Sequence, residues 1–413
     1  MSRYGLVRVH PTQLNANSQQ HLIDLMIKSG RRRNFLWSLE PVTKLMGLLG
    51  IPIPSSMEVS SCRLTGHLYR IFCFLTVMLI QSIQVIHIIY NVKDVSMGYL
   101  NGLSSSALSW NFIIENINLA LYSVGSHICL LLLTRLKTWT DIIDSFKLLD
   151  ENLLNNNLFA YSHRKLSIKI LIYFIFPLTL LLGLVGIENI LNDTTMVRKI
   201  IDVTVFSTKI YPATHLTLFC ILTQIISLQL KAIHQLIEDK LIKTKASSLN
   251  SIIESQRAQL IFLRRHHRLI CKAVRKINRY FGVYLTLEIG YIFVISINSS
   301  LYILLSGMNV DGLLGVLNVS IWLDGFVHLF LLTSFSEDII NQTGKVYEAL
   351  LQLLHHQPSL QNEVSLFTQQ LTHMKPRISA FGFFEVGKYL FPSLVGTTLT
   401  YFLILLQFHS AEK

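Results

Sequence analysis

Residues 389–408, YLFPSLVGTTLTYFLILLQF, contain no charged side chain. At about 1.5 Å per residue a helix of that length runs roughly 30 Å, the thickness of a bilayer's hydrocarbon core. A helix this long and this apolar has no polar face to turn to water, so it must cross a membrane or be enclosed by protein. Its far end carries an amide and an aromatic, Gln407 and Phe408, which a plain membrane anchor would not need.

Six further apolar stretches precede it, at 68–90, 107–134, 168–187, 203–230, 281–305 and 313–334. Charged residues make up only 15% of the chain, against roughly 25% in soluble domains, which agrees with a membrane protein. The expectation is an all-α integral membrane protein with seven transmembrane helices. The N-terminal MSRYGLVRVHPTQLNANSQQ is polar and basic, so no signal peptide is expected and the first span directs insertion.

Loop charges set the orientation. Lys and Arg cluster before the first span (Arg31, Arg32, Arg33), between the second and third (Arg135, Lys137, Lys147, Arg164, Lys165) and, most densely, at 231–280. The alternate loops hold few: Lys93, then Arg198 and Lys199, then none at 306–312. The positive-inside rule places the N-terminus in the cytoplasm and the C-terminus outside. The net charge of +12 is then a cytoplasmic-face signal that meets anionic lipid, and no nucleic-acid partner is expected. The sequon at Asn192 falls outside, where it is a glycosylation site, whereas Asn341-Gln342-Thr343 falls inside. None of the five cysteines falls in an outer loop, so no structural disulfide is expected.

The domain organisation follows. Residues 1–67 form a cytoplasmic N-terminal region, with a short apolar run at 41–54 closed by prolines. Residues 68–334 form the six-helix transmembrane region, including cytoplasmic helix extensions at 231–280. Within these, Leu260, Leu263, Ile270, Val274 and Ile277 recur at helical spacing and continue into the fifth span. Residues 335–380 form a further cytoplasmic segment, broken at Pro358 and Pro376, and 381–413 the last helix and an extracellular tail.

Enzyme signals are missing. There is no glycine-rich phosphate loop and no Gly-x-Ser-x-Gly elbow, and His266-His267 and His355-His356 lack zinc-protease spacing. No cofactor or metal is expected. A G-protein-coupled receptor would need its N-terminus outside, against the loop charges. A secondary transporter would show internal repeats and broken helices, and no repeat stands out.

Polar residues inside the spans form stripes: Asn111, Glu115, Asn118 and Tyr122 in the second, Thr208, Tyr211 and His215 in the fourth, Asn298 and Tyr302 in the fifth, Asn318, Trp322 and Asp324 in the sixth. With the orientation above, nearly all fall in the outer halves of their helices. They can line a wet pocket for a small polar or amphipathic molecule. The alternative is interhelical hydrogen bonding that holds the bundle. Glu288 lies in the inner half of the fifth span and reads as a packing or ion-pair residue. In the last span Gly396, Thr397, Thr398 and Thr400 offer small and hydroxyl surfaces. Several copies of that helix around an axis would make a pore with Gln407 and Phe408 as rings at its mouth. The alternative is an interfacial Gln and an aromatic-belt Phe.

The pattern Thr400-Tyr401, five residues, Gln407-Phe408 resembles the signature of the insect gustatory receptor family. Phe381-Gly382-Phe383-Phe384, followed by Glu385 and Lys388, resembles that family's lead-in to its last helix. The resemblance implies a tastant-gated, non-selective cation channel, a homo- or hetero-tetramer around the final helix, in the plasma membrane of chemosensory neurons. It implies Gln407 and Phe408 at the gate, with Thr400 and Tyr401 completing the motif, and an outer ligand pocket in each subunit. Partners would be a small-molecule tastant, permeating cations and membrane lipids. Phe402 stands where the sugar branch usually has Glu, which favours a bitter-type or other non-sugar tastant. A fructose-type sensor and an odorant-receptor-like channel are the alternatives.

Overall fold

The computed structural model describes residues 136–155, 210–242, 250–305 and 312–411, with isolated helical positions between 71 and 89, between 125 and 132, and at 168 and 175. Of Tyr302, Asn318 and Phe408 it describes the backbone alone. The second-span stripe Asn111, Glu115, Asn118 and Tyr122, together with Thr208 and the sequon at Asn192, lies outside the described residues.

Six helices make up the described part. They are α1 (Leu136–Asn155), α2 (Ile210–Leu236), α3 (Asn250–Leu305), α4 (Gly312–His356), α5 (Gln361–His373) and α6 (Leu390–Ala411). A π-turn, Ile237–Ile242, prolongs α2, and a 3-10 turn, Pro358–Leu360, separates α4 from α5. α3 is one helix of 56 residues, so the amphipathic basic segment does continue into the fifth apolar stretch. α4 likewise runs unbroken from its apolar half to His356, two residues before Pro358. Proline ends it because the ring clashes with the preceding turn and removes an amide donor.

α1 lays Trp139, Ile142, Phe146 and Leu149, at steps of three and four, onto α3. α2 is enclosed almost all round: Leu218, Phe219, Ile221, Leu222, Ile225 and Ile226 are inaccessible, between α3 and α4. Its buried hydroxyls stay satisfied by bonding back along the helix, Thr217 to the Ala213 carbonyl at 2.8 Å and Thr223 to that of Phe219 at 2.7 Å.

Contacts between helices set a common level. The His215 ring stacks on Tyr284 at 5.1 Å and meets Phe281 edge-on at 6.2 Å. Further down, His266 bonds Gln229 at 3.0 Å, so α2 and α3 run antiparallel in step. His328 on α4 bonds Glu288 on α3 at 2.7 Å, and Tyr401 on α6 meets Phe293 at 6.1 Å. Counting along each helix from these pairs, His215, Phe281, Phe335 and Tyr389 lie at one level. On one side of it α3 carries Arg257, Arg264, Arg265, Arg268, Lys272, Arg275, Lys276 and Arg279. On the other, from 281 to 305, 312 to 334 and 390 to 407, the only carboxylates are Glu288 and Asp324.

The fourth apolar stretch, 203–230, enters the described residues as α2, from Ile210. From about His215 onward α2 lies beside the basic part of α3, and its run 216–230 is enclosed by protein there. Among the described residues, α2 and α3 contain the stretches long and apolar enough to cross a membrane (Tyr211–Asp239 and Ile253–Ser300), and α6 contains a shorter one, Leu390–Ile404.

Between α5 and α6 the chain forms a short hairpin of two-residue strands, with Ser379 opposite Glu385 and Ala380 opposite Phe384. Its tip places Phe381 (φ 52°) and Gly382 (φ 84°) in the left-handed region. Gly382 takes that conformation at no cost, while Phe381 is held in it by its surroundings. The Phe381 backbone presses on Gly282 of α3, where an added Cβ would stand 3.0 Å from the Phe381 nitrogen. Glycine at 282 is what lets the hairpin dock.

Candidate functional site: the last helix and the cluster behind it

The lead-in hairpin fastens the root of α6. Arg377 donates from Nη1 to both Glu385 oxygens, at 2.6 and 2.7 Å, across the hairpin's open end. The Lys388 amide donates to Glu337 Oε2 on α4 at 3.1 Å, and the Tyr389 hydroxyl donates to the Glu385 carbonyl. Asn278 of α3 holds the strand before it, donating to the Arg377 carbonyl at 2.8 Å and accepting from the Ser379 amide at 3.2 Å. These bonds tie the residues that lead into α6 to α3 and α4. Pro392 sits in that first turn, where no intrahelical donor is lost.

Above its root α6 docks by one narrow stripe. Phe391, Leu394, Thr398 and Phe402, at steps of three and four, face α3 and α4, with Leu394 7% and Thr398 5% exposed. Phe391 packs edge-on against Phe326 at 5.9 Å and Phe330 at 6.4 Å. The opposite side, Ser393, Gly396, Thr400, Leu403 and Gln407, is exposed over its whole length. Thr400 and Gln407 are seven residues apart and so nearly in line, two turns apart on that outer stripe. Thr400 donates its proton to the Gly396 carbonyl at 2.9 Å, which leaves its oxygen facing outward as an acceptor. Tyr401 lies on the flank, half-exposed, with its ring edge toward Phe293. Three of the signature residues thus divide: Thr400 and Gln407 share the open face, and Tyr401 joins α6 to α3.

Behind α6, α3 and α4 enclose a charged cluster. His328 Nδ1 lies 2.7 Å from Glu288 Oε1, and its Nε2 lies 3.8 Å from Asp324 Oδ1, one turn back on α4. Glu288 is buried, and its reading as an ion-pair residue agrees with this contact. His328 is the member that polar-stripe reasoning missed; its signal in the sequence is the four-residue step from Asp324, which places both on one face of α4. Phe326 and Phe330, on either side of His328, are the residues that touch Phe391 of α6.

The other candidate residues separate by level. Tyr211 and His215 are buried at the level where the basic side begins. His215 is enclosed by Tyr280, Phe281 and Tyr284, with Nδ1 at 3.3 Å from the Tyr211 carbonyl and Nε2 without a hydrogen-bond partner among the described residues. Asn298, Trp322 and Asp324 lie on the other side of that level, and the Trp322 ring meets Phe326 at 4.8 Å. The structure thus does not bring Tyr211 and His215 together with Asn298 and Trp322.

On the basic side, Gln229 links Asp150 of α1 to His266 of α3, at 3.3 and 3.0 Å. Gln370 of α5 donates to His267 Nδ1 and to the Arg264 carbonyl, both at 3.0 Å. The Cys271 thiol donates to the Met374 carbonyl at 3.2 Å. Burial holds both imidazoles well below their ordinary value, at about 4, with His267 adding to the effect on His266. Burial pushes the Cys271 thiol up to about 12, against the pull of Arg275. Cys220 and Cys271 are free and buried. Among the described residues no group of His, Cys, Asp and Glu is arranged to hold a metal ion.

A profile described as 7tm chemosensory receptor matches residues 39–412. The chain belongs to that family. Over 51 residues, 12% of either chain, it is 43% identical to the putative gustatory receptor 2a of Drosophila melanogaster. Its fold is similar to that of the insect olfactory receptor OR5 from Machilis hrabei. The structure in complex with eugenol superposes with a TM-score of 0.56, at 16% identity, over 93% of this chain and 99% of that one. The structure solved without it gives 0.57, at 15% identity, over 89% and 97%. At such identity the likeness is one of fold. The protein is an all-α membrane receptor of the chemosensory family and not an enzyme.

Proposed function

We propose that this receptor is a ligand-gated, non-selective cation channel with seven spans and a cytoplasmic N-terminus, assembled as a tetramer around α6. The observation that carries the reading is the one-sided docking of α6. A helix with no charged residue that leaves Ser393, Gly396, Thr400 and Gln407 uncovered is suited to lining a wetted axis with its copies. Gln407 and Phe408 form the rings at the outer mouth. Agonist binds in each subunit on the outer side, near Asn298, Trp322 and Asp324, and shifts a closed–open equilibrium that reaches α6 through Phe326, Phe330 and Phe391. Phe402, in place of the sugar branch's Glu, favours a bitter-type or other non-sugar tastant, in the plasma membrane of a chemosensory neuron. The neighbouring olfactory receptor's complex with eugenol makes small phenols a useful first probe.

Whole-cell recording tests this. Cells expressing the chain are challenged with bitter compounds, sugars, carbon dioxide and eugenol. Phe408→Ala raises the basal cation current and Gln407→Ala changes ion selectivity or gating. An unchanged current–voltage relation in both variants sinks the channel reading, and substrate uptake without current would point to a transporter.

A further inference from the structure

A cavity of about 340 Å³ opens between α4, the end of α5 and the connection that follows it. Its lining includes Ile340, Thr343 and Tyr347 of α4, Thr372 of α5, and Lys375 and Arg377 of the connection. We propose that this cavity binds a phosphorylated polyol, of the kind carried as an inositol phosphate headgroup. Nothing in the signature residues or the pore reading calls for it.

The chemistry is selective. Two cations line the cavity and no carboxylate does. Arg377 is already committed to Glu385, which fixes it in place, while Lys375 has no carboxylate within ion-pair distance among the described residues. The threonines narrow the ligand further. Thr343 donates its proton to the Ile339 carbonyl at 2.8 Å, and Thr372 donates to the Thr368 carbonyl at 3.0 Å. With its proton so committed, each hydroxyl oxygen is left to act as an acceptor. The ionised oxygens of a phosphate, which only accept, gain nothing from them, whereas each ring hydroxyl of a polyol can donate to them. Tyr347 adds a phenol that can donate or accept and an aromatic wall. Cation, acceptor and apolar surface together match a molecule with both phosphates and hydroxyls. The volume falls at the lower end of small-molecule sites, roughly 300–1,000 Å³.

Position agrees with the chemistry. Ile340 to Tyr347 lie roughly 8 to 18 Å beyond the level of Phe335, on the basic side, where a phosphoinositide headgroup reaches. This placement rests on the reading of that side as cytoplasmic. The cavity also touches the segment that ends in Arg377, and Arg377 holds the hairpin at the root of α6. An occupant would therefore brace the connection that leads into α6.

The test uses the full-length receptor in nanodiscs of phosphatidylcholine, with labelled inositol trisphosphate as probe. Saturable binding is expected, weakened roughly fivefold by Lys375→Gln and measurably by Thr343→Val, which is nearly isosteric but removes the acceptor. Lys388→Gln, an equal loss of charge outside the cavity lining, leaves it unchanged. Inorganic phosphate competes poorly. A short-chain phosphatidylinositol bisphosphate run in parallel separates the sources: tighter binding than the soluble headgroup assigns the site to lipid, and equal binding assigns it to a free inositol phosphate. Equal weakening by Lys375→Gln and Lys388→Gln, competition by phosphate as strong as self-competition, or no saturable binding would overturn the proposal. Because the readout is binding and not current, a failure here is separate from a failure of the channel reading.

Discussion

α2 and α6 are both apolar helices that hydropathy alone places in the membrane, yet they end in opposite situations. α2 between Leu216 and Leu230 is covered on nearly every side by α3 and α4. α6 is covered along one stripe, and Leu399, Tyr401, Leu403, Ile404 and Leu406 remain exposed. The difference lies in the neighbours. α2 runs beside the arginine-rich part of α3, so its apolar surface must be met by protein. α6 rises past the charge-poor part, where lipid or other copies of the chain can meet it. Hydropathy measures only the wish to leave water, and two solvents satisfy it equally.

The largest expected effect breaks the comparison if it fails. Phe219→Ala, deep in α2, should cost roughly 3–5 kcal/mol and largely prevent delivery of folded receptor. Leu399→Ala, 55% exposed on α6, should change the stability of the separated subunit by no more than about 0.5 kcal/mol. Thermal unfolding in detergent and surface labelling read both. Equal damage from the two would mean that α6 is enclosed within its own subunit.

Comparable in size is the effect at the cluster between α3 and α4. His328→Ala strands Glu288 without its partner and should cost roughly 3–5 kcal/mol. The double variant Glu288→Gln with His328→Gln should recover most of it, since the buried carboxylate is gone and Asp324, which stays, is partly exposed. A double variant as unstable as the single one would show that packing, not charge, is what this place in the helix pair requires.

A smaller effect follows from the basic-side core. His266 and His267 are held at about 4, below their ordinary value of 6.5. Between those values the unfolded chain binds more protons than the folded one, so stability rises with pH. It is full above 6.5 and is lost progressively as pH falls toward 4. The melting temperature of the solubilised receptor should therefore fall on acidification, and His266→Gln should flatten the slope. A slope unchanged by that variant would place the titration elsewhere. The smallest effect belongs to the surface: Arg257, half-exposed, meets Glu363 at 3.3 Å, and Arg257→Ala should cost about 1 kcal/mol or less. A larger loss would mean that this contact is buried in the assembled receptor.

Much of the site is legible in the order of residues. Gln407 stands out because an amide is odd at the end of an apolar anchor, while Thr400 as a motif position and the Phe381–Lys388 lead-in are picked out by the family resemblance. The continuity of α3 follows from Leu260 to Ile277 recurring at helical steps into Phe281. What escapes is anything that depends on a partner helix. The step from Asp324 to His328 is visible, but Glu288 is forty residues away and only packing brings it to 2.7 Å. By its spacing His215 belongs to a stripe of pocket residues, and the aromatic rings that enclose it come from α3.

By itself the chain's order of residues determined that long apolar helices form, which of them carry charge, and where prolines stop them, because these are properties of neighbours along one helix. The tertiary structure decided which apolar face meets protein and which is left open. It decided that the run 216–230 is core, that α6 docks by Leu394 and Thr398, and that Thr400 and Gln407 face outward. Those outcomes depend on the level at which two helices meet, and nothing local to either helix sets that level.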